Sequence, residues 1–595
     1  MNIGTVNDIF LAIVDRPRER VMIHRHAIEW VPISSQELYQ KVVGVSQALE
    51  RWGIGKRDRV AILSENRPEW TITDFACQLL GVVSVPIYST LTAEQVAFIL
   101  KDAECRVVFV SSEQQLRKIQ SIRTQTLIEK VVVMDAVVTN QAFQMAQLMH
   151  EGPSQRDPLL DARARTIVPD DLATLIYTSG TTGVSKGVML THGNLACNIR
   201  YSLRGFEFSG EQVSVSFLPL SHITARHVDF AMLFNGITLA YCPFVDQLPQ
   251  TLLDVKPTVF VSVPRVYEKI HAQTDIRAKR FPKNLVLHWA LAVGRSHAPE
   301  ILKGEIPKSA AWRLASRLVY SKIRAGMGRR GQVFISGGAP LGRELAEWFS
   351  WIGIRIHEGY GLTETSPVIA VNTPYAHKIG TVGKPLGNVE VKIAEDGEIL
   401  VRGPSVFKGY WKRPDETENA FVDGWFKTGD IGNLDAEGFL SVTDRKKDLI
   451  KTSGGKFIAP QPIENSLKHN ALVAEAIIVG DKRKFPAVVI SPYFALLEDW
   501  ARNNEVAFQS RAELVANAKV QALYEGIVED VNRDLARFEK LKRVILVPDE
   551  FTPADGTLTH TMKVRRRAVE DRYRKLIEDV YAHAEAAPVA GHISG

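Results

Sequence analysis

Between Leu175 and Leu195 the chain reads LIYTSGTTGVSKGVMLTHGNL. A β-branched run ends at Tyr177, and hydroxyls and glycines follow: Thr178, Ser179, Gly180, Thr181, Thr182 and Gly183, then Ser185, Lys186 and Gly187. Glycine lets a backbone approach an anion closely, and hydroxyls and free N–H groups donate to phosphate oxygens. Lys186 adds a mobile positive charge. The G-x-x-x-x-G-K-[ST] spacing of a Walker loop is absent, which disfavours an ordinary P-loop kinase or GTPase. Alone, the stretch reads as a phosphate site or as a polar surface loop.

Four later stretches carry further chemistry. YGLTETSP, Tyr360 to Pro367, brings an aromatic ring, hydroxyls and Glu364 into one turn-like segment. WFKTGDIG, Trp425 to Gly432, presents Asp430 on a Gly-flanked turn. DRKKDLIKTSGGKFIAP, Asp444 to Pro460, is a charged segment leading into a Gly-rich loop. GTLTHTMKVRRR, Gly556 to Arg567, carries Lys563 in a basic neighbourhood where a solvated lysine is the plain alternative.

The elements that must position these groups alternate between helix and strand over the first 270 or so residues. Ser34 and Glu37 form a capping-box signature. Leu38, Val42, Val45, Leu49 and Trp52 follow at helical spacing, and Gly53 sits where a helix stop belongs. Arg59 to Leu63, Val82 to Tyr88 and Arg106 to Val110 read as strands, and Pro68 opens another helix. Continuous β-branched runs between amphipathic helices predict a mostly parallel sheet covered on both faces. Residues 271–330 break the rhythm as a helical insertion, with Leu314, Leu318 and Ile323 expected on one face. Short strands punctuated by Gly, Pro and Asp predict an antiparallel β subdomain at about 380–443. The expected class is therefore α/β. A large N-terminal region of parallel α/β sheets plus the β subdomain spans 1–446, a small mobile α+β domain spans 447–580, and 581–595 is an expected disordered tail.

The five motifs, in this order, resemble the adenylate-forming superfamily of acyl-CoA synthetases, adenylation domains and beetle luciferases. SENRPEW (Ser64 to Trp70), KPTVFVSVPRVYEKI (Lys256 to Ile270) and the insertion ending in LVYSKIRAGMG before SGGAPL are most similar to bacterial long-chain fatty-acid–CoA ligases. The resemblance implies ATP, a fatty acid and coenzyme A as substrates, with Mg2+ as cofactor. It implies Thr178 and Glu364 at the metal, and Thr178 through Gly183 with Lys186 on the phosphates. Gly338, Ala339, Tyr360, Gly361 and Thr363 would line the adenine side, with Asp430 and Arg445 on the ribose. Lys563 would meet the acyl carboxylate and α-phosphate, and Thr178, Glu364 and Lys186 complete the catalytic set. Lys447 is the implied hinge, with Gly454, Gly455 and Lys456 on the coenzyme A side. The family's PLxHxxER pattern is altered to PLSHITAR, Pro219 to Arg226. His222 keeps its place at the acyl pocket, but Ala225 stands where a glutamate is usual, which puts the packing around Arg226 in doubt. Two other functions stay open: an acyl-AMP ligase loading a carrier protein's phosphopantetheine, and a non-catalytic acyl or nucleotide binder.

Composition sets outer limits. The 595 residues are 45% hydrophobic and 24% charged, ordinary for a globular protein of more than one domain. No apolar run approaches the roughly 18–20 residues that span a bilayer, and the N-terminus carries no secretory pattern, so a cytoplasmic enzyme is expected. The four cysteines are scattered, which argues against structural zinc and disulfides. The net charge is +6, yet residues 271–330 hold thirteen Lys or Arg against three Asp or Glu. That patch reads either as a solvated helical face or as a contact with an anionic membrane surface on its inner side. No base-stacking aromatic series accompanies it, so nucleic acid is not expected. A homodimer is left open.

Overall fold

The structure is a computed structural model describing residues 3–179, 185–278, 282–328, 330–453, 456–552, 554–559 and 564–586. Gly180, Thr181, Thr182, Gly183, Gly454, Gly455 and Lys563 lie outside the described residues.

Two large sheets carry the first part of the chain. An eight-stranded sheet has Arg59–Leu63 at its middle, parallel to Val83–Ile87 on one side and Val107–Val110 on the other. A nine-stranded sheet runs Ile356–Gly361, Val333–Ser336, Val259–Ser262 and Val213–Ser216 side by side and parallel. The strands are buried on both faces, as their unbroken Val and Ile runs require. The Ser34 capping box forms with Glu37, and Leu38, Val42, Val45 and Leu49 are fully buried on the helix it starts. The helices Pro68–Leu79 and Ile223–Phe234 meet in the shared core, where Phe75 stacks on Phe230 at 4.7 Å.

The third sheet is antiparallel and has five strands, including Glu398–Arg402, Trp425–Leu434 and Leu440–Arg445. It begins at Glu390. Lys384–Pro385 instead edges the nine-stranded sheet, and Gly409–Tyr410 edges the eight-stranded one. Beyond the short turn Lys446–Asp448, the chain forms a hairpin of Ile450–Lys451 with Phe457–Ile458 and then a three-stranded sheet flanked by helices.

Two expectations need correction, and a third gains detail. The helical stretch starts at Pro264, because the strand Val259–Ser262 passes almost directly into the helix Pro264–Ala278. Leu314 and Leu318, expected on one face, are half-exposed. The buried side of that segment is Trp312, Ala315 and Tyr320, because a π-helical turn at Ser316–Tyr320 rotates the face away from regular α spacing. Of the expected disordered tail, 581–586 belong to the helix Arg574–Ala586, where Tyr581 is buried with its hydroxyl donating to the Val479 and Phe485 carbonyls at 3.0 Å each, and 587–595 lie outside the described residues. Among the described residues no helix is long and apolar enough to cross a membrane.

Candidate active site

The Gly- and hydroxyl-rich stretch joins two antiparallel strands, Leu172–Ser179 and Ser185–Thr191. Their register sets Thr178 directly opposite Lys186, so the hydroxyl and the ammonium share one rung. Lys186 pairs with Glu416 and lies over the Tyr410 ring, 5.2 Å from its centroid. The Tyr410 hydroxyl donates to Glu364 at 2.9 Å. Burial pushes the Glu364 carboxyl upward, while the Tyr410 hydrogen bond and the Arg445 charge oppose that shift. Tyr410 and Glu416 were not anticipated from sequence. An aromatic next to glycine and a Pro-Asp-Glu-Thr helix start in KGYWKRPDET are the signals that mark them.

A second cluster is built by the antiparallel sheet. Register places Asp430 opposite Arg445, and Arg445 Nε lies 3.1 Å from Asp430 Oδ1. Tyr360 donates its hydroxyl to Asp430 Oδ2 at 2.6 Å. The turn before Asp430 is tightly specified. Gly429 has φ +71 and donates its N–H to Glu398 at 2.9 Å, and Thr428 Oγ1 accepts from Asp430 N at 3.1 Å. Glu398 also accepts from Lys446 Nζ at 2.7 Å, tying the TGD turn to the first residue of the following turn. A carboxylate has about four acceptor positions, a chemistry suited to paired hydroxyls. Glu364 feels both Arg445 and Asp430, so the two clusters are within electrostatic reach of each other.

The remaining predicted groups sit at the carboxyl ends of parallel strands, where open α/β sheets bind ligands. Gly338 follows Val333–Ser336 with φ +82, and Ala339 beside it is exposed. Tyr360 and Gly361 end the adjacent strand. A Cβ at Gly361 would lie 1.8 Å from the Pro367 carbonyl, so only glycine fits there. Thr363 is buried in the short turn Thr363–Thr365. Buried Glu358, pushed up to about 7 by burial, accepts from Leu341 N at 3.3 Å and braces the Gly338 loop; sequence gave no sign of it.

His222 caps the helix Ile223–Phe234, its Nδ1 accepting from Thr224 N at 3.1 Å. The doubt attached to Ala225 resolves physically. Arg226 is fully buried and is paired by Asp74 from the neighbouring helix, Nε to Oδ2 at 2.7 Å and Nη2 to Oδ1 at 2.8 Å, so its countercharge comes from another element.

Of the groups expected at the hinge and on the coenzyme A side, Lys447 feels the charges of Arg445 and Asp430. Lys447 is exposed in the turn Lys446–Asp448, and Lys456 is exposed at the edge of the small hairpin. The C-terminal unit touches the rest of the chain through charged contacts: Arg265 donates to the Ala474 carbonyl at 3.1 Å and lies 3.4 Å from Glu475, and His469 pairs with Glu344.

Residues 12–411 match the family model described as AMP-binding enzyme, and 447–585 match the AMP-binding enzyme C-terminal domain. The chain belongs to the AMP-binding enzyme family. Within that family it is 36% identical to a long-chain-fatty-acid–CoA ligase of Mycobacterium tuberculosis over 93% of this chain and 92% of the relative. It is 31% identical to long chain acyl-CoA synthetase 7, peroxisomal, of Arabidopsis thaliana over 98% and 87%. The fold matches the adenylation domain of a Mycobacterium chelonae carboxylate reductase with a TM-score of 0.75 at 22% identity, covering 97% of this chain and 91% of that one. It also matches an anthranilate CoA ligase in complex with anthranoyl-AMP, with a TM-score of 0.72 at 18% identity and 98% coverage of both. A large N-terminal part with parallel sheets and a smaller C-terminal part are thus shared with other AMP-binding enzymes.

Proposed function

We propose that the chain is an ATP-dependent long-chain fatty acid–CoA ligase, AMP-forming, working in two half-reactions. The observation that carries this reading is the convergence of two cross-strand pairs, Thr178 with Lys186 and Asp430 with Arg445, on the recessed carboxylate of Glu364. A fatty-acid carboxylate oxygen attacks the α-phosphorus of ATP, the bond to pyrophosphate breaks, and acyl-AMP forms. The thiol of coenzyme A then attacks the acyl carbonyl, loses its proton to solvent, and expels AMP.

Each residue has a task suited to its chemistry. Asp430 and Arg445 hold the ribose, Tyr360 stacks on adenine, and Gly338 and Ala339 leave room for the base. Thr178, Ser179 and the loop to Gly183 donate to phosphate, and Lys186 exchanges Glu416 for pyrophosphate oxygens. Glu364 and Thr178 supply one carboxylate and one hydroxyl, a donor set that fits Mg2+ carried in on substrate phosphates rather than caged by protein. Among the described residues there is no cluster of three or more His, Cys, Asp or Glu able to hold a metal alone. Magnesium, when bound, neutralises phosphate charge. Lys563 balances the charge that develops at the α-phosphorus, and His222 lines the acyl pocket.

The groups needed for the second step cannot occupy the same face of the acyl-phosphate at the same time as Lys563. We therefore assign the division at Lys447, with the C-terminal unit turning there and carrying Gly454, Gly455 and Lys456 toward the pantetheine path. The enzyme would work in the cytoplasm with its basic helical segment on the anionic inner face of the membrane, where long-chain acids partition.

The test is thioester formation from acids ranging from acetate to oleate, aromatic acids included, with free CoA, a phosphopantetheine carrier protein or neither. Rapid acyl-CoA formation confined to long chains supports the reading. Transfer to a carrier alone would favour an acyl-AMP ligase, and adenylate bound without turnover a binding protein.

A further inference from the structure

The helical segment between the strands Val259–Ser262 and Val333–Ser336 contains a groove that the ligase reaction does not use. Its volume is about 770 Å³, and it lies along Ile306, Pro307, Trp312 and the π-helical turn, with Lys308, Arg313 and Arg317 around it. The floor is apolar: Trp312 is buried, and Pro307 with it. The three cations are exposed, and none has an acidic partner within ion-pair distance among the described residues. Ser316 Oγ accepts from Arg324 Nη2 at 2.8 Å, which fixes that part of the groove's wall. Beside it Ile306, Leu314 and Leu318 are 81%, 50% and 41% exposed. Arg313 with Arg317 and Leu314 with Leu318 are each spaced four apart, so a basic row and an apolar row run side by side.

Neither row is explained by folding. Exposed isoleucine and leucine next to unpaired cations complement a ligand that is both anionic and oily. A soluble anion has no use for Ile306, Leu314 and Leu318, and a nucleic acid would call for stacking rings that the groove's exposed rim lacks. We propose that this groove seats the phosphate headgroup of an anionic phospholipid still in its bilayer, with Ile306, Leu314 and Leu318 dipping among the acyl chains. The site rests on the peripheral-membrane reading above and narrows it from a diffuse field to one place.

The test uses the full-length protein and co-sedimentation with vesicles of phosphatidylcholine alone or with phosphatidylglycerol added. The variant Arg313→Glu with Arg317→Glu reverses two exposed groove charges. Lys283→Glu with Lys303→Glu changes the net charge equally on the same segment but outside the groove. Acyl-CoA synthesis from detergent-dispersed oleate checks that both variants fold. The wild type should prefer anionic vesicles, the groove variant should lose roughly tenfold or more in partitioning, and the control should lose much less. Glycerol 3-phosphate, a headgroup without tails, should not compete; displacement by it at low millimolar concentration would make the groove a free-phosphate site and overturn the proposal. Equal losses in both variants would overturn the groove while leaving membrane contact standing. Wild-type binding that ignores lipid charge would overturn both.

Discussion

Asp430 is fixed twice, by strand register and by the bonds around it, and Thr178 by register, whereas Lys447 and Lys456 stand exposed on a short turn and a hairpin edge. The first pair sits where Tyr360 and Arg445 hold Asp430, Tyr410 holds Glu364, and Glu398 accepts from the Gly429 N–H of the turn. The second lies past the sheet's last strand, and the unit beyond it is held to the rest through ion pairs such as Arg265 with Glu475 and His469 with Glu344. Attack at phosphorus demands atoms positioned to a fraction of an ångström. Exchange of one nucleophile's path for another's demands an element that can leave. The two regions divide these demands between them: a site held by sheet register and, as we propose, a C-terminal unit that turns between the steps.

The comparison can be broken most forcefully at Lys563. Lys563→Ala should slow acyl-AMP formation by about 10²–10³ yet spare thioester formation from pre-made acyl-AMP, as read by single-turnover assay of each half-reaction. A variant that adenylates normally would move the charge-balancing role elsewhere. Next in size, Asp430→Ala removes charge-assisted hydroxyl contacts and should weaken ATP binding by about 2–3 kcal/mol, roughly 30–150-fold. Calorimetric titration with ATP checks it, and unchanged affinity would take Asp430 out of the site. Lys447→Pro acts on the movable region instead: it fixes φ near −65° and removes a donor. The variant should release pyrophosphate at close to the normal rate while acyl-CoA falls about tenfold, the loss of one step's geometry. Equal loss of both steps would signal misfolding.

The smallest expected effect is on pH. Burial lowers the His469 and His271 imidazoles in the docked arrangement, with Glu344 and Asp275 opposing. The docked pose therefore binds fewer protons than the released one, so it loses ground as pH falls through about 6.5, the ordinary imidazole value. Asp444, pushed up to about 6 by burial, takes up a proton when docked and pulls the other way. Spin-label distances across the two units should broaden by a few-fold in population between pH 7.5 and 5.5 in Asp444→Asn, and not in Asp444→Asn with both His271→Gln and His469→Gln. Broadening that survives loss of both histidines would place the switch elsewhere.

Much of this was legible in sequence because it rests on local chemistry. The Ser34 capping box, the Arg59–Leu63 strand and the Gly-flanked Asp430 turn are each specified within a few residues. What was not legible depends on distant partners. Asp74, 152 residues from Arg226, supplies the countercharge that the altered motif lacks, and no local pattern announces it. Tyr410 reaches Glu364 only because Gly409–Tyr410 pairs with the strand of Lys186. Which side of the segment around Leu314 and Leu318 is buried was not legible, because a π turn changes helical phase, which α spacing does not foresee.

The claim on which all of this depends is that the acid is activated as an adenylate. Oleate labelled with ¹⁸O in its carboxylate, mixed with the enzyme, ATP, Mg2+ and CoA, decides it by mass spectrometry of the products. The attacking carboxylate oxygen stays on the α-phosphorus when the thiol takes the acyl group. The account therefore predicts one ¹⁸O in AMP for each acyl-CoA, with unlabelled pyrophosphate. Label in inorganic phosphate alongside ADP, or acyl-CoA formed with unlabelled AMP, would contradict it.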